Sequence, residues 1–192
     1  MNDQWDQHGT IIFNINRTYS QTDGFYMNKD QTLFVSESRN HRVMEWKIGA
    51  MTGRVVAGGN GEGNGLHQLS YPRDIVVDED SIFICDRLNS RVMLWSTRNN
   101  KQGELFIDKI SCKKLALDYQ GSLYVSDIWG QDVKRYCIGE NVTVVVGGNG
   151  AGNGLNQINN VLSIFVDQDY SIYVLDAEIT VNFLNSTHSN VP

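Results

Sequence analysis

The chain alternates short apolar runs with polar turns. Residues 73–95 show the pattern most clearly, with runs at Ile75 to Val77, Ile82 to Ile84 and Val92 to Trp95. Short runs that are rich in β-branched and aromatic residues and bounded by Gly, Asn or Asp predict β-strands. No stretch repeats its apolar residues with the 3.6-residue period of a helix, so the pattern predicts an all-β protein.

The middle run of this unit recurs along the whole chain. Its copies start 49, 41 and 49 residues apart and are Leu33-Phe34-Val35, Ile82-Phe83-Ile84, Leu123-Tyr124-Val125 and Ile172-Tyr173-Val174. Four-stranded units of this length cannot bury both faces alone, and their repetition is typical of a β-propeller. We predict one domain over residues 1–192, with blades at about 24–58, 73–107, 114–147 and 163–184 and a further strand at 10–13.

Two loops rich in Gly and Asn explain the unequal spacing. Residues 58–70 and 147–157 precede the second and the fourth unit, and no such loop precedes the third. A dinucleotide-binding G-x-G-x-x-G motif fails in register, because Leu66 stands where its last glycine is required. A calcium-binding repeat needs an aspartate, which neither loop contains. We therefore interpret the loops as flexible connectors whose glycines allow positive φ.

Carboxylates recur at two positions of the unit. Those that close the first strand are Asp78, Asp118 and Asp167, and those that close the second are Glu37, Asp86, Asp127 and Asp176. Their recurrence in successive units indicates that they cap turns and do not form a metal site.

A tight turn and an aromatic residue complete the pattern. We expect Asn40, Asn89 and Gly130 to adopt positive φ in the turn, because Asn and Gly tolerate that conformation. The aromatic residues that end the third strand are Trp46, Trp95 and Tyr136. We expect their side chains to fill the space between neighbouring blades.

These motifs resemble the NHL repeat. The resemblance is carried by the stretch from Asp86 to Val92 (Asp-x-x-Asn-x-Arg-Val), by its variant from Glu37 to Val43, by Tyr71-Pro72 and by the Gly/Asn loop at 58–69. It implies a β-propeller, usually with six blades. It also implies kinship with propellers of several functions, among them RNA-binding NHL domains, gluconolactonase-like hydrolases and the peptidylglycine-amidating lyase.

Two architectures agree with this resemblance. Either the strand at 10–13 supplies the missing fourth strand of the last blade and closes a four-bladed ring, or the chain is part of a six-bladed ring. Trp5 stands where a third strand would end, with almost nothing before it, which favours the partial ring. A partial ring exposes unpaired edges and apolar faces.

Charge and hydropathy narrow the classes of function. The chain has 192 residues, a net charge of −6 and a pI of about 5.1. We expect no nucleic-acid partner, because nucleic-acid-binding proteins usually carry a basic footprint. No apolar run approaches the roughly 18 residues of a membrane span. The first residues show no signal-peptide pattern, so we expect a cytoplasmic protein or part of a longer secreted chain.

The three cysteines do not have the spacing of a zinc site. We interpret Cys85 as a small buried residue. The alternative is that two of Cys85, Cys112 and Cys137 form a disulfide and the third is a free thiol. The glycosylation sequons at Asn16, Asn141 and Asn185 carry no signal, because an Asn-rich chain of this composition gives about two by chance.

The candidate binding residues are Arg39, Arg42, Arg87, Arg91 and Trp129. The arginines recur around the turn after the second strand, where pairing with the local carboxylates is the simpler interpretation. Loops from every blade meet on the face of a propeller, which suits recognition. We therefore predict a non-enzymatic module that binds a protein or peptide partner and has no catalytic residue, metal or cofactor. The alternatives are a hydrolase or lyase with a metal in the central channel, and an RNA-binding NHL domain.

Overall fold

The structure, a computed structural model, describes residues 21–98, 101–137, 139–154 and 156–177. These residues form β-strands in four antiparallel sheets, with two short 3₁₀ turns. The strand at 10–13, Trp5 and the predicted third strand of the last unit at 180–184 lie outside the described residues.

Three sheets have four strands each, in the order in which the strands follow along the chain. The first contains β1 (Thr22–Met27), β2 (Leu33–Glu37), β3 (Arg42–Trp46) and β4 (Arg54–Gly58). The second contains β5 (Pro72–Asp78), β6 (Ser81–Asp86), β7 (Arg91–Ser96) and β8 (Glu104–Asp108). The third contains β9 (Cys112–Leu117), β10 (Leu123–Asp127), β11 (Asp132–Tyr136) and β12 (Thr143–Gly147). The last contains β13 (Val161–Val166) and β14 (Ile172–Asp176).

The sheets stack side by side like blades, with their first strands together. β1 contacts β5, β5 contacts β9, and β9 contacts β13, so these four strands form the inner side of the arrangement. Apolar side chains of consecutive sheets pack into three shared clusters, one at each of these boundaries. The predicted all-β propeller with about four blades is confirmed.

The aromatic residues of the third strands have different environments. Trp95 is buried in the cluster shared by the first two blades, as the sequence predicts. Tyr136 packs, partly buried, against the cluster of the second and third blades. Trp46 differs, because it packs with Val35 and Met44 on the other face of the first blade.

The turns after the second strands differ from the prediction by one residue. Positive φ occurs at His41 (52°), Ser90 (52°) and Gln131 (51°), not at the preceding Asn or Gly. The asparagines serve through their side chains, since Asn89 Nδ2 donates a hydrogen bond to Asp86 Oδ2 at 2.8 Å. In the third blade a Cβ on Gly130 would lie 2.9 Å from the carboxylate oxygens of Asp132, so a side chain here would require the Asp132 side chain to shift.

A buried carboxylate joins three consecutive first strands. Asp74 Oδ2 accepts a hydrogen bond from the Leu115 N–H at 2.9 Å, and Oδ1 lies 3.7 Å from Lys114 Nζ. A Cβ on Gly24 would lie only 2.6 Å from Asp74 Oδ1 and 2.7 Å from the carbonyl oxygen of Arg73. The first strands therefore approach so closely here that only glycine fits at position 24.

A disulfide between Cys85 and Cys112 links the second and third blades. Both residues are fully buried in the cluster that these blades share, and their Cα atoms are 5.4 Å apart. Cys137 is free. Of the two interpretations of the cysteines, one disulfide with a free thiol therefore holds, and Cys85 is not simply a small buried residue.

Candidate functional site

One side of the propeller gathers the connections between blades and the turns between second and third strands. We call this side the loop face. The first strands begin here, as the pairing of Pro72 with Asp86 and of Asp86 with Arg91 shows. The turns between first and second strands and the connections between third and fourth strands lie on the opposite face.

The recurrent carboxylates of the second strands anchor the loop face. Asp86 Oδ1 accepts a hydrogen bond from the Ser70 N–H at 2.6 Å, and Asp127 Oδ1 accepts one from the Ser111 N–H at 3.2 Å. Asp176 accepts hydrogen bonds from two backbone amides at the same position of the fourth blade. These three carboxylates thus fix the chain where it enters the first strand, and the predicted capping role is confirmed for them. Glu37 differs, because it accepts hydrogen bonds from the side chains of Asn40 and Arg42.

On the opposite face the carboxylates that close the first strands act similarly. Asp118 Oδ1 accepts hydrogen bonds from the N–H groups of Gln120 and Ser122, both at 2.9 Å. Asp167 repeats this geometry in the fourth blade. The second blade differs, because a two-residue hairpin connects Asp78 directly with Ser81.

Arg91 is buried and engaged within its own blade. Its Nε donates a hydrogen bond to Asp86 Oδ2 at 2.7 Å, and its other donors reach carbonyl oxygens in the first Gly/Asn loop. The acceptors are the carbonyls of Asn64, Gly65 and Gln68. The loop is therefore held by hydrogen bonds rather than being a flexible connector.

The carboxylates that end the second strands of the first and third blades also form ion pairs. Arg42 is half-buried, and its Nε lies 2.6 Å from Glu37 Oε2. In the third blade Asp132 replaces the arginine, and Lys134 supplies the cation instead, 2.6 Å from Asp127 and 3.0 Å from Asp132. The expected pairing of arginines with local carboxylates is confirmed for Arg42 and Arg91.

The remaining candidates project from the turns of the loop face. Arg39 and Trp129 occupy the same turn position in the first and third blades, and both are exposed, Trp129 to 66%. The second blade places Leu88 there, 57% exposed. Arg87, one residue earlier, is also exposed. Equivalent turns of three successive blades thus expose cationic or apolar side chains, which we call the row, and Leu88 is a member that the sequence prediction missed.

A second group of cations, which the sequence analysis did not identify, lies at the start of the first strands. Arg73 and Lys113 are the second residues of β5 and β9. Burial lowers the pKa of Arg73, and the positive charge of Arg87 lowers it further. Burial also lowers the pKa of Lys113, as do the charges of Arg73, Lys114 and Arg87. These cations therefore lie within electrostatic reach of one another on the loop face.

The opposite face carries a cavity of about 630 Å³ between the first two blades. Its lining includes Asn28, Asp30, Glu45, Arg54, Asp80 and Arg98. Both of these arginines form ion pairs there, Arg54 with Glu45 and Arg98 with Asp80. Both arginines of this cavity are therefore paired with carboxylates of its own lining.

Two features are absent from the described residues. No group of three or more His, Cys, Asp or Glu side chains is placed to hold a metal ion. Within the same residues no helix is long and apolar enough to cross a membrane.

The comparisons with known proteins support the fold. No protein-family model matches the chain. No curated protein matches it either. Among solved structures, a streptogramin B lyase superposes with a TM-score of 0.64 at 8% identity, over 85% of this chain and 51% of that chain. A structure of a nidogen/laminin complex gives a TM-score of 0.64 at 15% identity, over 83% and 58%. A putative gluconolactonase gives 0.59 at 16% identity, over 81% and 57%.

These comparisons change the expectation that the chain is not an enzyme. Two of the three proteins are described as enzymes, a lyase and a putative gluconolactonase. The prediction that the chain is not an enzyme is therefore wrong as drawn, because its fold is one that enzymes also use. The chain spans about half the length of the solved structures it matches. At these identities the likeness establishes the fold alone, and the fold is that of a β-propeller.

Proposed function

We propose that the chain is an NHL-like propeller domain whose loop face binds an acidic segment of a protein partner. The observation that carries the proposal is the row formed by Arg39, Leu88 and Trp129. These side chains project from the same turn position of three successive blades and are exposed. Arg87 adds a second exposed cation beside Leu88.

The chemistry of the row defines the partner. Trp and Arg are the residues that most often dominate binding energy in protein interfaces. A carboxylate of the partner would accept paired hydrogen bonds from a guanidinium, and a large apolar side chain of the partner would pack on the Trp129 ring. A short segment that combines Asp or Glu with Leu or Phe therefore suits this surface. The likeness to a structure of a nidogen/laminin complex is consistent with a propeller that binds another protein.

The scaffold supports such a role. Glu37, Asp86 and Asp127 hydrogen-bond to groups within their own turns, in the first case through Asn40 and Arg42. The turns are thus fixed before a partner arrives, which lowers the entropy lost on binding. Arg42 and Arg91 contribute here by holding the turns and the adjacent loop.

A selection of displayed peptides against the purified chain tests the proposal. We expect enriched peptides to carry Asp or Glu near Leu, Phe or Trp, and to bind at least tenfold more weakly to Trp129→Ala and to Arg39→Glu. Lys29→Glu, at an exposed site on the opposite face, is the charge-matched control. If Trp129→Ala and Arg39→Glu bind the selected peptides as tightly as the unmodified chain does, the proposal is contradicted. Single-stranded RNA serves as a competitor, and displacement by RNA at low salt would favour the RNA-binding alternative.

The disulfide bears on the compartment. Structural disulfides persist in oxidising compartments and are rare in the cytosol. The buried link between Cys85 and Cys112 therefore supports the interpretation as part of a secreted chain. Protein isolated from its source and unfolded without reductant should then show one reactive thiol, that of Cys137. Three reactive thiols would support the cytoplasmic alternative.

A further inference from the structure

Each blade turns alternate residues of its second strand toward different neighbours. Ile84, Val125 and Val174 occupy the same position in the last three blades, and each packs in the cluster shared with the preceding blade. We call this side of a blade its front face. Val35 holds the equivalent position in the first blade, and the described residues contain no blade before it.

The front face of the first blade is nevertheless buried. Val35 is 3% exposed, Met44 8% and Trp46 9%, close to the values of residues at the boundaries between blades. These side chains form a cluster whose described members all belong to the first blade. Because a sheet buries a face only against another element, the additional contacts come from residues outside the described ranges.

The burial is confined to part of this face. Phe25 and Met27, on the first strand, are 76% and 45% exposed. Their counterparts in the second blade, Ile75 and Val77, are only 1% and 4% exposed, because they pack in the cluster shared with the first blade. The additional contacts therefore extend over β2 and β3 but not over β1. This pattern fits a segment of one or two strands and not a complete blade.

The segment before β1 has the sequence of such a piece. Gly53 and Gly103 stand directly before β4 and β8, as Gly9 stands before the apolar run at 10–13. The connections from a fourth strand to the next first strand span residues 59–71, 109–111 and 148–160, and residues 14–21 are intermediate in length. The run at 10–13 therefore corresponds to the fourth strand of a preceding blade.

The entry into β1 agrees with this correspondence. The carbonyl oxygen of Gln21 accepts a hydrogen bond from the Ser38 N–H at 3.0 Å. The equivalent bond from the Ile128 N–H to the Ser111 carbonyl, at 2.9 Å, holds the connection that arrives from the second blade. The chain thus reaches the first blade at the position where other connections arrive from a preceding blade.

We propose that residues 1–20 dock on the front face of the first blade, as the outer strands of a preceding blade. The fourth strands of the described blades face the next blade through Ala57, Ile107 and Val146. Phe13 occupies the equivalent position, so it packs on the cluster of Val35, Met44 and Trp46.

The strand at 10–13 is then not available to complete the fourth blade. Closure of the first blade on the fourth would bury Phe25 on one and Phe165 on the other. Both side chains are exposed, Phe165 to 61%, which supports an open arrangement. The proposal does not depend on the proposed function, because the row of Arg39, Leu88 and Trp129 lies on the loop face and not on a front face.

The reaction of engineered thiols with N-ethylmaleimide tests the proposal in the full chain, with Cys137→Ala to remove the free native thiol. We expect the thiol of Val35→Cys to react at least about tenfold more slowly than that of Phe25→Cys. Addition of Phe13→Asp should speed the Val35→Cys reaction at least about tenfold, because a carboxylate resists burial in an apolar cluster. Val174→Cys, at the same position of the fourth blade, is the matched control and should not respond to Phe13→Asp.

Three results would overturn the proposal. Equal rates for Val35→Cys and Phe25→Cys would show that nothing covers the front face. Acceleration of Val35→Cys by Phe183→Asp, and not by Phe13→Asp, would assign the contacts to the C-terminal residues. Acceleration of Val174→Cys alone by Phe13→Asp would place the segment on the fourth blade.

A milder substitution keeps the test decisive if the chain unfolds. Phe13→Asp that speeds both reporters equally indicates global unfolding, and Phe13→Ala then takes its place. Failure of Phe13→Ala to speed the Val35→Cys reaction would also contradict the proposal. None of these outcomes bears on peptide binding to the row, which is measured separately with Trp129→Ala.

Discussion

Arg91 Nε lies 2.7 Å from Asp86 Oδ2, and the other end of the same guanidinium holds the loop that leads into the blade. The ion pair closes the turn between β6 and β7, while the carbonyls of residues 64, 65 and 68 receive the remaining donors. Asp86 in turn accepts the Ser70 N–H at the start of the blade. Two side chains thus fix the turn, the loop and the entry of the first strand.

Replacement of Arg91 should therefore be costly. Arg91→Ala leaves the Asp86 carboxylate buried without its cation, and breaking a buried pair in this way costs about 3–5 kcal/mol. We expect a loss of that size in the free energy of unfolding, measured by urea denaturation. Arg98→Ala is the control, since both Arg98 and its partner Asp80 are exposed and such a pair contributes at most about 1 kcal/mol. Equal losses in the two variants would contradict the role assigned to Arg91.

Gly24 should tolerate no larger side chain. The Cβ of Gly24→Ala would lie 2.7 Å from a backbone oxygen and 2.6 Å from a buried carboxylate, and neither can move freely. Overpacking of this kind typically costs about 1–3 kcal/mol. Gly49→Ala is the comparison, because Gly49 has φ of 72° but nothing within 4 Å of an added Cβ. Its cost should stay near about 1 kcal/mol, the effect of backbone conformation alone. Thermal unfolding of both variants measures the difference.

The disulfide should contribute to stability. Cys85 and Cys112 are 27 residues apart in sequence, and a link of that span stabilises a protein by about 2–4 kcal/mol. We expect the double variant Cys85→Ala/Cys112→Ala to lose stability in that range, and reductant to lower the unfolding midpoint of the unmodified chain. Cys137→Ala should change neither measurement, since Cys137 is free. A midpoint that reductant leaves unchanged would show that the link is not formed.

Lys134 should control the acid dependence of stability. Burial raises the pKa of Asp127, but the hydrogen bond and charge of Lys134, with backbone N–H groups, outweigh it and hold the pKa below its usual value. A carboxyl whose pKa is lowered on folding adds stability above its unfolded pKa of about 4, and this stability is lost as pH falls through the folded value. Lys134→Gln removes that contribution and leaves Asp127 and Asp132 facing each other.

The expected result is a pH-dependent loss of stability. Lys134→Gln should be less stable than the unmodified chain at pH 7. The difference should shrink as pH falls below about 4 and disappear only below the lowered pKa of Asp127. Urea denaturation across this pH range measures it, with Lys29→Gln as the exposed control. A difference that stays constant with pH would show that Lys134 acts through packing alone.

The sequence predicts the strands and the local pairs well, because both follow from repetition. Asp86 and Arg91 are five residues apart on the two sides of one turn, so their pairing is visible from spacing alone. The contacts of Arg91 with the Gly/Asn loop are not visible, since the partners lie 23 to 27 residues earlier and are backbone carbonyls. For the same reason the loop is better ordered than its glycines suggest.

The inner cations escape the sequence analysis for a different reason. The positions equivalent to Arg73 and Lys113 hold Asp23 in the first blade and Leu162 in the fourth, so no repeated residue type marks them. Only the stacking of the first strands brings the two cations together beside Arg87. Lys134 likewise has no repeated signal. It takes the role that Arg91 has in the second blade, but it lies two residues further along the strand than the equivalent position, which Asp132 occupies.

Hydrogen–deuterium exchange of the chain with and without a selected acidic peptide tests the central claim most directly. We expect the peptide to slow exchange in the turns at residues 38–41, 87–90 and 128–131, which form the row on the loop face. The turns at 28–32, 79–80 and 118–122 on the opposite face should be unaffected. Protection of the opposite turns, with none on the loop face, would contradict the assignment of the binding surface.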